Sequence, residues 1–428
     1  MKVLIITYYW PPAGGSGVQR WLKFVKYLRD FGVEAIVYTV DSPAYAIEDE
    51  SLLEEIPKDL EILKQKIWEP NNLLGNRKNT SAGFLNPRPT FFGQIAHYIR
   101  ANYFIPDARK YWIKPSVKFL LAYLEKSDID VVITTGPPHS MHLIGLELKK
   151  ALSIKWIADF RDPWTEIDYF HQLPLTKKSL TKHKEMEKEV IQNADAVLVV
   201  GNTMRSKMEA FNKNIHVITN GFDGEISEGN TALDKNFTLT HIGMMNADRN
   251  PKKLWEVLKD ILIKDPQFKA NFQLKLIGKI DPVILQDIQF YGLEKYVLVI
   301  DYLPHKEVIH LQKTSQVLLL AVNDVPGAKG IITGKIFEYL QAKRPILAIG
   351  PVDGDLAEII DVTNSGEIVN FDDKDRLKSV ILDFYKKYKK GDLKVSSGNI
   401  EQFHRKNLTK KLADVLMQTL DNSQKEQV

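Results

Sequence analysis

The chain contains no cysteine. Disulfides, thiolate metal sites and a cysteine nucleophile are thereby excluded, and the composition suits a reducing compartment such as the cytoplasm. No run approaches the ~20 apolar residues that a membrane-spanning helix needs. The opening MKVLIITYYWPP has one lysine and a short apolar run before two prolines. That run is too short for the apolar core of a signal peptide, so Lys2–Thr7 is expected to form a buried strand. Excess charge of one sign is also missing: 58 Lys and Arg stand against 54 Asp and Glu, a net charge of +4 that gives no support to nucleic-acid binding. There is no internal repeat, no low-complexity tract and no acidic cluster with metal-site spacing. Neither a divalent ion nor another cofactor is therefore expected to be obligatory.

What is present is 428 residues, 44% hydrophobic and 26% charged, enough for two or three ordinary cores. Short β-branched runs alternate with helical periods. One series is Val3–Ile6, Val33–Thr39, Asp130–Thr134, Ile154–Ala158 and Ala196–Val200. A second is Thr238–Ile242, Gln273–Ile277, Val297–Ile300, Val317–Ala321 and Ile346–Ile349. Continuous apolar strands separated by helices predict parallel sheets covered on both faces. The fold class expected is α/β, with two doubly wound, Rossmann-like domains facing across a cleft. The Gly-, Asn- and Asp-rich stretch NGFDGEISEGNTALD marks the split. The boundaries expected are a domain over 1–220, a linker over 221–235, a second domain over 236–400 and a final segment over 401–428.

The segment Arg77–Lys118 breaks this rhythm by mixing Arg88, Arg100, Arg109, Lys110, Lys114 and Lys118 with eight aromatic residues. It reads either as a basic, aromatic surface for anionic lipid or a lipid-linked acceptor, or as a helical insertion with core aromatics and solvated charges.

Several loops after strands carry chemistry. The first strand runs into Gly14-Gly15-Ser16-Gly17, which is either an anion-binding loop at a helix start or a tight turn needing glycine. A dinucleotide fingerprint would require glycine where Arg20 stands, although Asp41 follows the second strand as such a site would need. The strand Val131–Thr134 leads to His139, Ser140 and His142, with Ser140 as a helix cap and both rings directed to the carboxyl edge of the sheet. The next strand ends in Asp159-Phe160-Arg161-Asp162, two carboxylates around an arginine, which suits an acceptor or sugar site or a structural ion pair. In the second half, Arg249 precedes a helix opened by Pro251, a position suited to a diphosphate. In GIITGKIFEYL, a helix from about Thr333 would present Gly334, Lys335 and Glu338 on one face. A diphosphate could then lie on the helix start beside Lys335, with Glu338 accepting from ribose hydroxyls.

Taken in order, YYWPPAGGSGVQR, DFRDPW, NGFD, HIGMMNADRNP and GKIFEYLQAKRPILAI resemble the family-four glycosyltransferases over nearly the whole chain. The resemblance implies a GT-B fold and a retaining glycosyltransferase. Its donor would be a UDP- or GDP-sugar and its acceptor a glycan or a lipid-linked molecule, in cell-surface polysaccharide synthesis. It implies an acceptor-side N-terminal domain, a C-terminal nucleotide-sugar domain and a last helix that returns to the first domain. Donor contacts map to Gly14, Gly15, Arg249, Gly334, Lys335 and Glu338. The family's earlier helix glutamate is replaced by Gly330. Where many relatives carry a site histidine this chain reads Asp159-Phe160-Arg161-Asp162, so the chemistry is expected at Asp159, Arg161 and Asp162, with His139 as second choice. The protein is expected to be cytoplasmic, with peripheral contact at the inner face of the membrane through 77–118. A nucleotide-sugar 2-epimerase, a non-catalytic sugar-nucleotide binder and an NAD oxidoreductase are the rival readings.

Overall fold

The structure, a computed structural model, describes residues 1–41, 43, 45, 47–68, 91–167, 170–226, 231–301 and 303–425. The chain forms two compact units, residues 1–221 with 405–428, and residues 222–404.

The first unit is built on strands β1 (Lys2–Ile6), β2 (Glu34–Asp41), β3 (Glu61–Lys66), β4 (Val131–Gly136), β5 (Lys155–Phe160), β6 (Ala196–Val199) and β7 (Ile215–Val217). They pair in the order β3-β2-β1-β4-β5-β6-β7, and every pairing is parallel. Its helices are α1 (Ser16–Leu28), α2 (Phe91–Tyr103), α3 (Lys110–Leu124), α4 (Ser140–Leu152), α5 (Lys177–Asn193) and α6 (Asn202–Met208). The period-2 geometry of a strand explains the unbroken apolar runs. In β1, Leu4 and Ile6 enter one core while Val3 and Ile5 enter another on the opposite face. Each such fully buried side chain contributes about 1.5–3 kcal/mol.

The second unit repeats the plan with β8 (Phe237–Ile242), β9 (Phe272–Ile277), β10 (Val297–Ile300), β11 (Val317–Ala321), β12 (Ile346–Ile349) and β13 (Gly366–Val369). Their order is β10-β9-β8-β11-β12-β13, again parallel throughout. Its helices are α7 (Lys252–Lys264), α8 (Pro266–Asn271), α9 (Pro282–Phe290), α10 (His305–Thr314), α11 (Lys335–Ala342), α12 (Asp355–Thr363) and α13 (Lys374–Lys389). In β11, Val317 and Leu319 face one core and Leu318 and Leu320 the other.

At the far end of the second unit Phe222 N–H donates to the Phe403 carbonyl at 3.1 Å. The segment therefore starts and finishes side by side. The chain then returns as α14 (Arg405–Lys425), whose Leu408, Leu412 and Leu416 share a core with Trp21, Val25 and Leu28 of α1.

The basic, aromatic segment divides by environment. Residues 77–90 lie outside the described residues. Trp112 is fully buried and stacks on Tyr38 at 5.1 Å, as the plainer core reading requires of it. Tyr98, Tyr103 and Tyr111 are 45%, 66% and 47% exposed. Among the described residues no helix is long and apolar enough to cross a membrane.

Candidate active site

In each sheet the chain steps outward on one side and then on the other, so adjacent strands β1 and β4, and β8 and β11, send their following loops in opposite directions. Ligands of open parallel sheets bind at such carboxyl-end switch points. Most candidate residues of both units lie on these loops or on the helix starts that follow them, while Asp159, Arg161 and Asp162 lie at the end of β5, beside β4.

In the first unit the loop after β1 reaches α1 through Gly14 and Gly15. Gly15 has φ +100°, a conformation that favours glycine, and it caps α1. Gly14 is closely packed: a Cβ there would lie 2.8 Å from Ile47. Its N–H donates to the Ile47 carbonyl at 2.9 Å.

Asp159 lies in the interior, fully buried at the end of β5. Its carboxylate accepts from Arg20 Nη2 at 2.9 Å, Trp21 Nε1 at 2.7 Å and Thr135 Oγ1 at 2.8 Å. Burial opposes its ionisation, but the Arg20 charge and these hydrogen bonds outweigh burial and hold the carboxyl below its ordinary value. The arrangement anchors α1 to the sheet, through Arg20 rather than the neighbouring Arg161 between the two carboxylates. Arg20, met in the sequence as the residue that spoils a dinucleotide fingerprint, is its buried partner. Arg161 is also buried. It donates to the Gly136 carbonyl at 3.2 Å, to the Gly17 carbonyl at 2.7 Å and to the Pro137 carbonyl. One guanidinium thus ties the loop after β4 to the first turn of α1. Asp162, next along, is partly buried, and its charge favours the Arg161 cation that burial disfavours.

His139 immediately precedes α4 and stacks on Trp164 at 4.6 Å and 3°. His142 follows in the first turn, stacked on Phe160 at 4.4 Å. Ser140 does not cap the helix by itself: Asp107 accepts from its N–H at 2.9 Å and its hydroxyl at 2.7 Å. A carboxylate brought in from a distant segment does what the hydroxyl alone was expected to do. His142 Nδ1 lies 2.9 Å from Thr134 Oγ1, which accepts from Trp156 Nε1 at 2.9 Å. His142 Nε2 and His139 Nδ1 are buried without a hydrogen-bond partner, and both border Gly136. Burial drives both rings toward the neutral form, His142 down to about 3 and His139 well below the ordinary imidazole value.

In the second unit the loop after β8 turns at Gly243, with φ +109°. Arg249 ends a 3-10 turn ahead of α7. Its Nε donates to Asn323 Oδ1 at 2.5 Å and its Nη1 to the Met244 carbonyl at 3.3 Å. Lys335 Nζ donates to that same carbonyl at 3.0 Å. Helix α11 begins at Lys335 with Gly334 as its cap, two residues later than the expected start at Thr333. Gly334 has an ordinary φ of −57°, and a Cβ there would meet nothing within 4 Å. Neither backbone nor packing demands glycine at that helix start. Glu338 is exposed, and its Oε2 accepts from Gln312 Nε2 at 2.9 Å.

Sequence reasoning missed Asp107, His241, Asn323 and Gln312. Only His241 offered a local signal, an ionisable ring inside a strand otherwise apolar or threonine. Among the described residues no group of three or more His, Asp or Glu side chains is placed to hold a metal ion.

Residues 15–225 match the family Glycosyltransferase Family 4. Among curated proteins no sequence matches the chain significantly. Three solved structures share the fold over nearly all of both chains. The lipopolysaccharide outer core galactosyltransferase WaaB, in its apo form, is 14% identical with a TM-score of 0.59, over 98% of this chain and 99% of WaaB. A variant of S. aureus TarM in complex with fondaparinux, alpha-GlcNAc-glycerol and UDP is 11% identical with a TM-score of 0.55, over 98% and 99%. A Listeria monocytogenes protein described as a UDP-N-acetylglucosamine 2-epimerase is 11% identical with a TM-score of 0.54, over 98% and 97%.

Proposed function

Since this chain is a GT-B glycosyltransferase of the family-four type, we propose that its second unit holds the nucleoside diphosphate of a UDP- or GDP-sugar and its first unit serves the acceptor. The observation that carries this reading is the meeting of Lys335 and Arg249 on one carbonyl, that of Met244. A doubly charged anion lying beside this pair would be held by the Arg249 guanidinium and the Lys335 ammonium together. The first turn of α11 adds backbone N–H groups, and Glu338 on the same helix supplies an acceptor for ribose hydroxyls. As the sugar–phosphate bond breaks, negative charge grows on the leaving diphosphate, and these donors stabilise it without a divalent ion.

In the first unit we assign substrate contact to His139 and Asp162. Asp159 acts through Arg20 and Trp21, and Arg161 through the carbonyls of Gly17, Gly136 and Pro137, so both are positioning residues. By the family resemblance, the Gly14–Gly15 loop of the first unit is assigned to substrate contact. Retention of anomeric configuration follows from the family resemblance. A glycan or lipid-linked acceptor in cell-surface polymer synthesis is supported by WaaB's lipopolysaccharide core and by the alpha-GlcNAc-glycerol bound to TarM. Exposed Tyr98, Tyr103 and Tyr111, with Arg100, Lys110 and Lys114 near them in the sequence, support peripheral contact with an anionic membrane surface.

The test is a panel of nucleotide-sugars and nucleotides screened for protection against thermal unfolding, followed by NMR of the products. UDP or GDP should raise the melting temperature by a few degrees and NAD should not. Glu338→Ala should lose most of that rise, about 1.5–3 kcal/mol of binding. Donor consumed without acceptor would favour the epimerase reading, and protection without turnover the non-catalytic binder. If neither UDP nor GDP protects, the second unit is not a donor domain.

A further inference from the structure

Lys335 does not turn toward Glu338 on its own helix. Its chain folds back over Gly243, where a Cβ would lie 2.5 Å from Lys335 Cε and 3.0 Å from Nζ. Nζ meets two acceptors inside the protein, the Met244 carbonyl at 3.0 Å and His241 Nε2 at 3.4 Å. His241 is fully buried in β8, and its other nitrogen, Nδ1, lies 3.2 Å from the Leu319 carbonyl. A carbonyl only accepts, so Nδ1 carries the ring proton and Nε2 presents its lone pair to Lys335. Burial, reinforced by the Lys335 charge, keeps that ring neutral.

The donor count then decides what Lys335 can do. A neutral amine has two N–H groups, and the protein supplies two acceptors for them. An ammonium has three, and the third has to find its acceptor outside this pair. The charged groups facing Nζ are Arg249, from the loop after β8, which opposes a proton there, and Glu338, on α11, which favours one. Burial and Arg249 bring the amine down to about 7, so above neutral pH the unliganded protein holds it largely uncharged.

We propose that His241 is the positioning residue of the donor site, holding Lys335 Nζ over Gly243 beside Arg249, and that a diphosphate binding there draws one proton from solvent onto the Lys335 amine. The inference rests on the donor-site reading above. The proton balance is simple: the amine lone pair takes a proton from the buffer, and the new N–H donates to a phosphate oxygen. The sign follows from linkage. The complex binds one more proton than the free protein wherever the pH lies above the free amine's value and below that of the complex, so affinity falls as pH rises through that window.

The test is calorimetric titration with UDP and GDP between pH 7.5 and 9, in buffers of different ionisation enthalpy, a range in which the nucleotide's own phosphates are already ionised. The expected result is uptake of close to one proton per nucleotide and a Kd that rises up to about tenfold per pH unit. Lys335→Met should bind more weakly and take up no proton. His241→Leu should lose roughly tenfold in affinity and move the midpoint of the pH profile. His241→Gln, which keeps an acceptor near Nζ, should recover most of both. A purely packing role for His241 would change the melting temperature of the Leu variant and leave the pH profile in place. Nucleotide binding without proton uptake, or a His241→Leu profile equal to wild type, overturns the inference and leaves the donor site standing. No binding of either nucleotide removes both.

Discussion

Asp159 and Asp162 sit three residues apart and should answer mutation in opposite ways. Asp159→Asn keeps an acceptor for Trp21 and Thr135 but leaves Arg20 as a buried charge without its counter-ion. Breaking such a pair from one side costs about 3–5 kcal/mol. We expect a fall of several degrees in the melting temperature of the first unit, read by calorimetry. Because the Asp159 carboxyl is held below its ordinary value, its contribution is present above the usual carboxylate range and is lost as pH falls through its folded value. The variant's stability should therefore depend less on acid than wild type's. Asp162→Asn should leave the melting temperature within a few degrees and lower kcat/KM by at least about 10²-fold, the range for a positioned catalytic group. Near-wild-type turnover would remove its catalytic role. The Arg20–Asp159 pair also marks a limit of reading a chain from its residues alone. Asp159 was visible as a costly charge at a strand end and Arg20 as the residue that breaks a dinucleotide fingerprint, but their sequence separation hid that each was the other's reason.

At the scale of elements, Gly243 connects β8 to the donor loop under two constraints at once, a positive φ and the Lys335 chain lying where a Cβ would go. Gly243→Ala should displace Lys335 and weaken UDP binding by roughly tenfold or more, while strain at that φ lowers stability by about 1–3 kcal/mol. Unchanged affinity would mean that Lys335 reaches phosphate by another path. The exposed aromatics of α2 and α3 belong to this scale too. If they meet membrane, cosedimentation with anionic vesicles should fall with added salt and fall further when Arg100, Lys110 and Lys114 become Gln. No cosedimentation at low salt would end that reading. Ten of the thirteen described strands were legible as apolar runs; nine of them are covered on both faces, and β10 was legible although it closes an edge with Leu298 and Val299 exposed. The three that were not all lie at sheet edges and lack a continuous apolar run of four or more residues. Strands β3 and β7 close the two edges of one sheet and β13 closes an edge of the other. Strand β3, EILKQK, has no fully buried residue, and β7 is three residues long. Lys335 and Arg249 could be singled out from helix-start patterns and His241 as an ionisable ring inside a strand, whereas Asn323 and Gln312 acquire meaning only through partners on other elements.

At the scale of the whole molecule, residues 222–404 leave the first unit and rejoin it at adjacent points, through Phe222 and Phe403. Expressed alone, they should melt cooperatively and keep most of the UDP-induced rise, since Arg249, Gly334, Lys335 and Glu338 all lie within them. A fragment that folds but ignores UDP would move the donor site elsewhere. The return of α14 onto α1 has a consequence for how such a chain is born. A ribosome releases the protein from its first residue onward, so Trp21, Val25 and Leu28 emerge hundreds of residues before Leu408, Leu412 and Leu416, which share their core. The second unit can finish folding while the first still presents that apolar helix face to water. A nascent chain stalled before Arg405 is thus complete in one half and adhesive in the other. Helix α14, made after the second unit, is what covers that face of the first.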